Sequence, residues 1–190
     1  IKDLVDALEQ MGSSIRYEKD HGYPPITINN SSIEISEPIQ IKGDISSQYL
    51  TALLIAGPIS NNEFNIEVIG DLISKPYIDI TLKLLTKFNI FYNNDNWRLF
   101  SLKKDSIYRN PTKIFVEGDA SSASYFFAAA SLAGSIEIKG INKDSIQGDL
   151  KFLDIISKMG AKIEYKSDSI QVSKASNIKG LEIDCIEIPD

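Results

Sequence analysis

Apolar residues recur along this chain in two rhythms that take turns. Ile1, Leu4, Val5, Leu8 and Met11 fall on one helical face that ends at Gly12. Four short runs, Ile15 to Tyr17, Ile26 to Ile28, Ile33 to Ile35 and Ile39 to Ile41, alternate as half-buried strands do, with Tyr23-Pro24-Pro25 as a rigid turn among them. Leu50, Leu53, Leu54 and Gly57 return to helical spacing, and Gly57-Pro58 predicts the stop. Phe64 to Ile69 alternates again, a polar turn runs from Gly70 to Tyr77, and a helix follows from Ile78 to Phe88. Ile90 to Tyr92 and Trp97 to Phe100 predict a hairpin around Asn93 to Asn96.

After the polar stretch Lys103 to Pro111, the pattern starts again. Ile114 to Val116 predicts a strand, Ala120 to Gly134 an apolar helix, and Ile136 to Ile138 a strand. Gly148-Asp149 opens a helix to Met159, and Ile163 to Tyr165 with Ile170 to Val172 predict a last hairpin. Leu181 to Ile188 predicts a further strand, stopped by Pro189-Asp190 and packing Cys185 inside it. The unit is strand, helix, strand, helix, strand, strand, so the class is α/β.

The unit repeats. Gly118-Asp119-Ala120-Ser121-Ser122-Ala123-Ser124-Tyr125 echoes Gly43-Asp44-Ile45-Ser46-Ser47-Gln48-Tyr49 at a spacing of about 75 residues. Leu8 to Tyr17 is echoed by Ile156 to Tyr165 about two periods later, with Ile78 to Phe88 as a looser copy between them. In the first copy, Gly43 gives a tight turn, and Asp44, Ser46 or Ser47 can cap the helix behind it. A helix start with hydroxyls and open N–H groups is equipped to hold an anion, although Ser-Ser before an apolar helix also serves as a plain cap.

Composition narrows the classes. The 190 residues are 43% hydrophobic and 24% charged, enough for one large or two small cores. No apolar run is long enough for a membrane span, and a net charge of −6 argues against a general nucleic-acid surface. One cysteine and no secretory leader make the cytoplasm the default. The helix already running at Ile1 suggests a segment of something longer. No Gly-x-Gly-x-x-Gly or P-loop marks a nucleotide fold.

Three runs carry a resemblance: Ser46-Ser47-Gln48-Tyr49-Leu50-Thr51-Ala52-Leu53-Leu54, Ser74-Lys75-Pro76-Tyr77-Ile78-Asp79-Ile80-Thr81-Leu82, and Val116-Glu117-Gly118-Asp119-Ala120-Ser121-Ser122-Ala123-Ser124-Tyr125. Together with Gln147-Gly148-Asp149 and Ile188-Pro189-Asp190, they resemble the 5-enolpyruvylshikimate-3-phosphate synthase family along the whole chain. The resemblance implies an inside-out α/β barrel of the enolpyruvyl transferase type, in which two domains of three units each meet at a hinge. Residues 1–116 would be part of the first, shikimate-phosphate-binding domain and 117–190 part of the second, with the hinge near 116–119.

It also implies a reaction, the transfer of the enolpyruvyl group of phosphoenolpyruvate to the 5-hydroxyl of shikimate 3-phosphate. No metal or organic cofactor takes part, and the enzyme is a cytoplasmic monomer. Carried over by position, Ser46, Ser47 and Ser74 hold the shikimate phosphate, Gln48 touches both substrates and Tyr77 lies beside the shikimate moiety. Asp190 accepts the 5-hydroxyl proton. Each has a plainer reading: turn chemistry for Ser74, helix packing for Tyr77, a cap for Asp190. The repeat copies Ser121 and Ser122 receive no ligand and read as caps; His21 reads as a solvated loop residue. The family's phosphoenolpyruvate-binding cations are absent from residues 1–190, which implies an inactive piece. The rival readings are a UDP-N-acetylglucosamine enolpyruvyl transferase relative and a non-catalytic repeat scaffold of the same fold.

Overall fold

The computed structural model describes residues 1–60, 62–185 and 188. The chain divides into two compact units, Ile1–Thr112 and Lys113–Asp190.

The first unit opens with α1 (Lys2–Gln10) and the antiparallel pair β1 (Ser14–Tyr17) and β2 (Ile26–Asn29). The repeat unit follows: β3 (Ile39–Lys42), α2 (Ser47–Ala56), β4 (Phe64–Ile69), α3 (Lys75–Lys87), β5 (Tyr92–Asp95) and β6 (Leu99–Leu102). Its sheet has the order β3-β4-β6-β5, with β3 and β4 parallel and the other pairs antiparallel. The alternation in β4 sends Phe64, Ile66 and Val68 into the core, where they meet Leu50, Leu53 and Leu54 of α2 and Ile78, Leu82 and Leu85 of α3.

The second unit holds α4 (Ala120–Ala133), β7 (Ser135–Lys139), α5 (Lys151–Lys158), β8 (Lys162–Tyr165) and β9 (Ser169–Ser173), with an antiparallel sheet of order β7-β9-β8. Phe127, Leu153, Ile156, Ile170 and Val172 form a separate core.

The second echo in the sequence is a recurring helix exit. Gly12 and Gly160 both turn at positive φ, 88° and 114°, where a side chain would be strained. A Cβ on Gly12 would lie 2.7 Å from the Ser32 carbonyl oxygen, and one on Gly160 would lie 2.7 Å from that of Asn177. Met11 O accepts from Glu34 N at 2.9 Å, and Met159 O accepts from Lys179 N at 3.0 Å. In the looser middle copy Asn89 takes the left-handed turn, and Phe88 O accepts from Arg109 N at 2.9 Å.

That device explains one expected strand that does not form. Ile33 to Ile35 runs past the end of α1, and its alternation reflects one-sided packing of Ile35 there rather than a ladder. Ile114 to Val116 pairs with no strand among the described residues, and neither does Leu181 to Cys185, so Cys185 is exposed rather than packed. Pro189 and Asp190 lie outside the described residues. The hairpin turn sits later than expected: Asn96 and Trp97 both have positive φ, while Asn93 to Asp95 belong to β5. Asn94 Oδ1 accepts from Trp97 N at 2.9 Å and holds that turn. Gly57-Pro58 does not stop its helix at once but tightens it into a 3-10 turn, Gly57–Ser60.

Candidate functional site

Because β3 and β4 are parallel neighbours, paired up to Lys42 and Ile69, the helices that follow them begin at one edge of the sheet. Gly43 draws the two connecting loops together. Its N–H donates to Ile69 O at 3.0 Å, and its carbonyl accepts from Ile73 N at 3.1 Å. A Cβ there would lie 2.7 Å from Val68 Cγ1 and 2.8 Å from Asp71 O, so the close approach depends on glycine. Farther along the helices, Thr51 and Thr81 hydroxyls meet at 3.0 Å, and Thr81 also donates to Tyr77 O at 3.2 Å. Neither threonine stood out in the sequence, since a helical Thr carries no signal of its partner.

Ser46 is the N-cap of α2, in extended conformation, and its Oγ accepts from Gln48 N at 3.2 Å. Ser47 is half-buried in the first turn and Gln48 is exposed. Ser74 stands at the N-cap position of α3 with φ 55° and ψ 37°, left-handed for a non-glycine residue, and its side chain makes no cap hydrogen bond. Pro76 follows in the first turn, where its missing N–H is harmless. Tyr77 is half-buried one step further, and its N–H donates to Ser74 O at 3.1 Å. Five of the six expected site residues thus stand on two adjoining helix starts; the sixth, Asp190, lies outside the described residues. Among the described residues, the side chains of Ser47, Gln48 and Ser74 make no hydrogen bond.

The edge therefore offers two positive dipole ends and three serine hydroxyls, a set of donors matched to a phosphate. Its nearest basic side chain in sequence, Lys75, lies over the Trp97 ring, 6.0 Å from the centroid. Among the described residues no group of three or more His, Cys, Asp or Glu could hold a metal ion. No helix among them is long and apolar enough to cross a membrane.

The repeat copy is built differently, and its cap is a correction. Asp119, not Ser121 or Ser122, caps α4: its carboxylate accepts from Ser121 N at 3.1 Å and from the Ser122 hydroxyl. That hydroxyl, helped by the first-turn N–H groups and opposed by partial burial, holds the Asp119 carboxyl below the usual aspartate range. Ser121 Oγ donates to Asp149 Oδ2 at 3.0 Å, and Ala120 N donates to Gln147 Oε1 at 2.8 Å. His21 is exposed, with its ring edge-on to Tyr17 at 4.8 Å.

The family model for EPSP synthase (3-phosphoshikimate 1-carboxyvinyltransferase) matches residues 1–190. The 3-phosphoshikimate 1-carboxyvinyltransferase of Pasteurella multocida is 49% identical over 190 residues, covering 100% of this chain and 43% of the relative. That of Haemophilus ducreyi is 47% identical, with the same two coverages. Among solved structures, an EPSP synthase from Acinetobacter baumannii aligns with a TM-score of 0.71 at 20% identity, over 99% of this chain and 42% of that one. The enolpyruvyl transferase NikO from Streptomyces tendae aligns with a TM-score of 0.64 at 14% identity, over 92% of this chain and 42% of that one. The fold is that of the enolpyruvyl transferases. Within that class, the chain belongs to the EPSP synthase family. It spans less than half the length of the curated relatives it matches.

Proposed function

We propose that this chain is the middle part of an enzyme that transfers the enolpyruvyl group of phosphoenolpyruvate to shikimate 3-phosphate, releasing phosphate. On this reading residues 1–116 belong to the shikimate-phosphate-binding domain and 117–190 to the second. Ser46, Ser47 and Ser74 hold the shikimate phosphate, Gln48 reaches both substrates and Tyr77 flanks the shikimate ring. Asp190 takes the proton of the attacking 5-hydroxyl. The whole enzyme works as a cytoplasmic monomer.

One observation supports the phosphate shelf above the others. Ser74 holds a left-handed conformation that costs about 1–2 kcal/mol, yet its hydroxyl does not cap its own helix. Held there, the hydroxyl remains available at the edge where α2 also begins. Hydroxyls and backbone N–H groups make hydrogen bonds to a phosphate that favour the dianion and fix its orientation. The hydrophobic face of α2 and α3, locked by the Thr51–Thr81 pair, keeps that geometry rigid before the ligand arrives.

The reaction and the proton acceptor are tested together in the whole enzyme. Phosphate release should require both substrates, and Asp190→Asn should lower turnover by about 10²–10⁴ with little change in thermal stability. A variant that loses stability and keeps its rate would make Asp190 a structural residue.

A further inference from the structure

Thr81 is a polar residue in an apolar seam. Only 6% of it is exposed, and it lies on α3 where that helix packs against α2. The other buried residues of the two helices are Leu50, Leu53 and Leu54 on α2 and Ile78, Leu82 and Leu85 on α3. A hydroxyl is costly to bury there unless it is hydrogen-bonded, and this one is bonded twice. It meets the Thr51 hydroxyl at 3.0 Å and donates to Tyr77 O at 3.2 Å. A hydroxyl has one proton to give. Thr81 spends its own on the Tyr77 carbonyl, so Thr51 is the donor in the pair. Tyr77 N in turn donates to Ser74 O at 3.1 Å. A directed run of hydrogen bonds therefore leads from α2 to the left-handed turn at Ser74.

We propose that Thr51 and Thr81 are positioning residues: they set the axial register of α2 against α3, and through it the placement of Ser47 relative to Tyr77. Ser47 stands one turn before Thr51, and Tyr77 one turn before Thr81, each pair on one face of its helix. Apolar packing is non-directional and tolerates a slide between helices, in which one residue step is about 1.5 Å. A hydrogen bond weakens outside about 2.7–3.2 Å, so the hydroxyl pair admits a single offset. Gly43 fixes the loops at the sheet edge, and the threonines fix the helices one turn further in. The consequence for substrate rests on the proposed binding of shikimate 3-phosphate at these helix starts; the register itself does not.

Amide hydrogen exchange on the 190-residue chain, without ligand, tests the register. Thr51→Val keeps the shape and removes the donor. It should speed exchange of Tyr77 and Ile78, on the opposite helix, by about fivefold, while Ile66 and Val68 in β4 stay protected and report that the unit is folded. Thr51→Ser, which restores the hydroxyl, should return the two rates to those of the unsubstituted chain. Should Thr51→Val fail to fold, Thr51→Ala removes the same donor without adding bulk. Unchanged Tyr77 and Ile78 rates in either folded variant would overturn the proposal. In the whole enzyme, Thr51→Val should raise KM for shikimate 3-phosphate by about tenfold, with kcat within about twofold and KM for phosphoenolpyruvate unmoved, and Thr51→Ser should restore it. A variant that is less stable but keeps its KM would make the pair a packing feature and overturn the positioning role. A whole enzyme that does not turn over shikimate 3-phosphate would instead overturn the substrate reading, and the exchange rates would then decide the register alone.

Discussion

The starts of α2 and α4 descend from the same sequence device and have been finished in opposite ways. At α2 one serine caps the helix, and the hydroxyls of Ser47 and Ser74 remain uncommitted among the described residues. At α4 an aspartate takes over the cap, and Ser121 and Ser122 donate to carboxylates of the protein itself. The offset of about 75 residues that carries Gly43 onto Gly118 carries Ser74 onto Asp149. Where the first copy has a hydroxyl available to a phosphate, the second holds its own anion. A helix start is thus an anion site only if the protein leaves it one to bind. A ready-made carboxylate satisfies the same N–H groups and hydroxyls and repels a second negative charge.

The sharpest way to break this contrast is to pry the α2–α3 edge apart. Gly43→Val forces a side chain into Val68 and the Asp71 backbone and should cost about 3 kcal/mol in urea unfolding. Gly118→Ala, with its nearest neighbour at 3.3 Å, should cost less than about 1 kcal/mol. Equal costs would mean that the two turns are built alike. Next in size, Gln147→Leu leaves Ala120 N without its acceptor and should destabilise the second unit by about 2 kcal/mol. Ser46→Ala removes a neutral cap and should cost the first unit about 1 kcal/mol, read from the same unfolding curves.

The smallest effect is a pH dependence. Asp119 has a lowered carboxyl pKa when folded, so its contribution is present above the ordinary aspartate value and disappears as pH falls through the folded one. Glu137, held down by hydrogen bonds from Lys166 and Ser169, acts in the same sense. The second unit should lose the α4 cap below about pH 4, whereas Ser46 does not titrate. Asp119→Asn should remove that part of the acid sensitivity, followed by amide signals of α4; an unchanged acid response would assign it elsewhere.

The repeat, the order of elements from β3 to β6 and both serine-rich helix starts were legible in the sequence, because periodicity and glycine placement are local signals. What separated the two starts was not. Asp149 and Gln147 reach α4 from nearly thirty residues away, and no local pattern announces which acceptor a serine will find. The same limit misled the reading of Ile33 to Ile35, whose alternation records packing against a helix end. Thr51 and Thr81 were invisible for a like reason: their meaning lies in each other.

The central claim, that one copy is open to an anion and the other is occupied from within, can be read from a single titration. Shikimate 3-phosphate is added to the 190-residue chain and backbone amide shifts are followed by NMR. Dipole and hydroxyl contributions of about 0.3–2 kcal/mol each predict weak, roughly millimolar binding. Shifts should gather at Ser46 to Gln48 and Ser74 to Tyr77, with Asp119 to Ser122 unmoved. Equal shifts at the two helix starts, or shifts at α4 alone, would contradict the account.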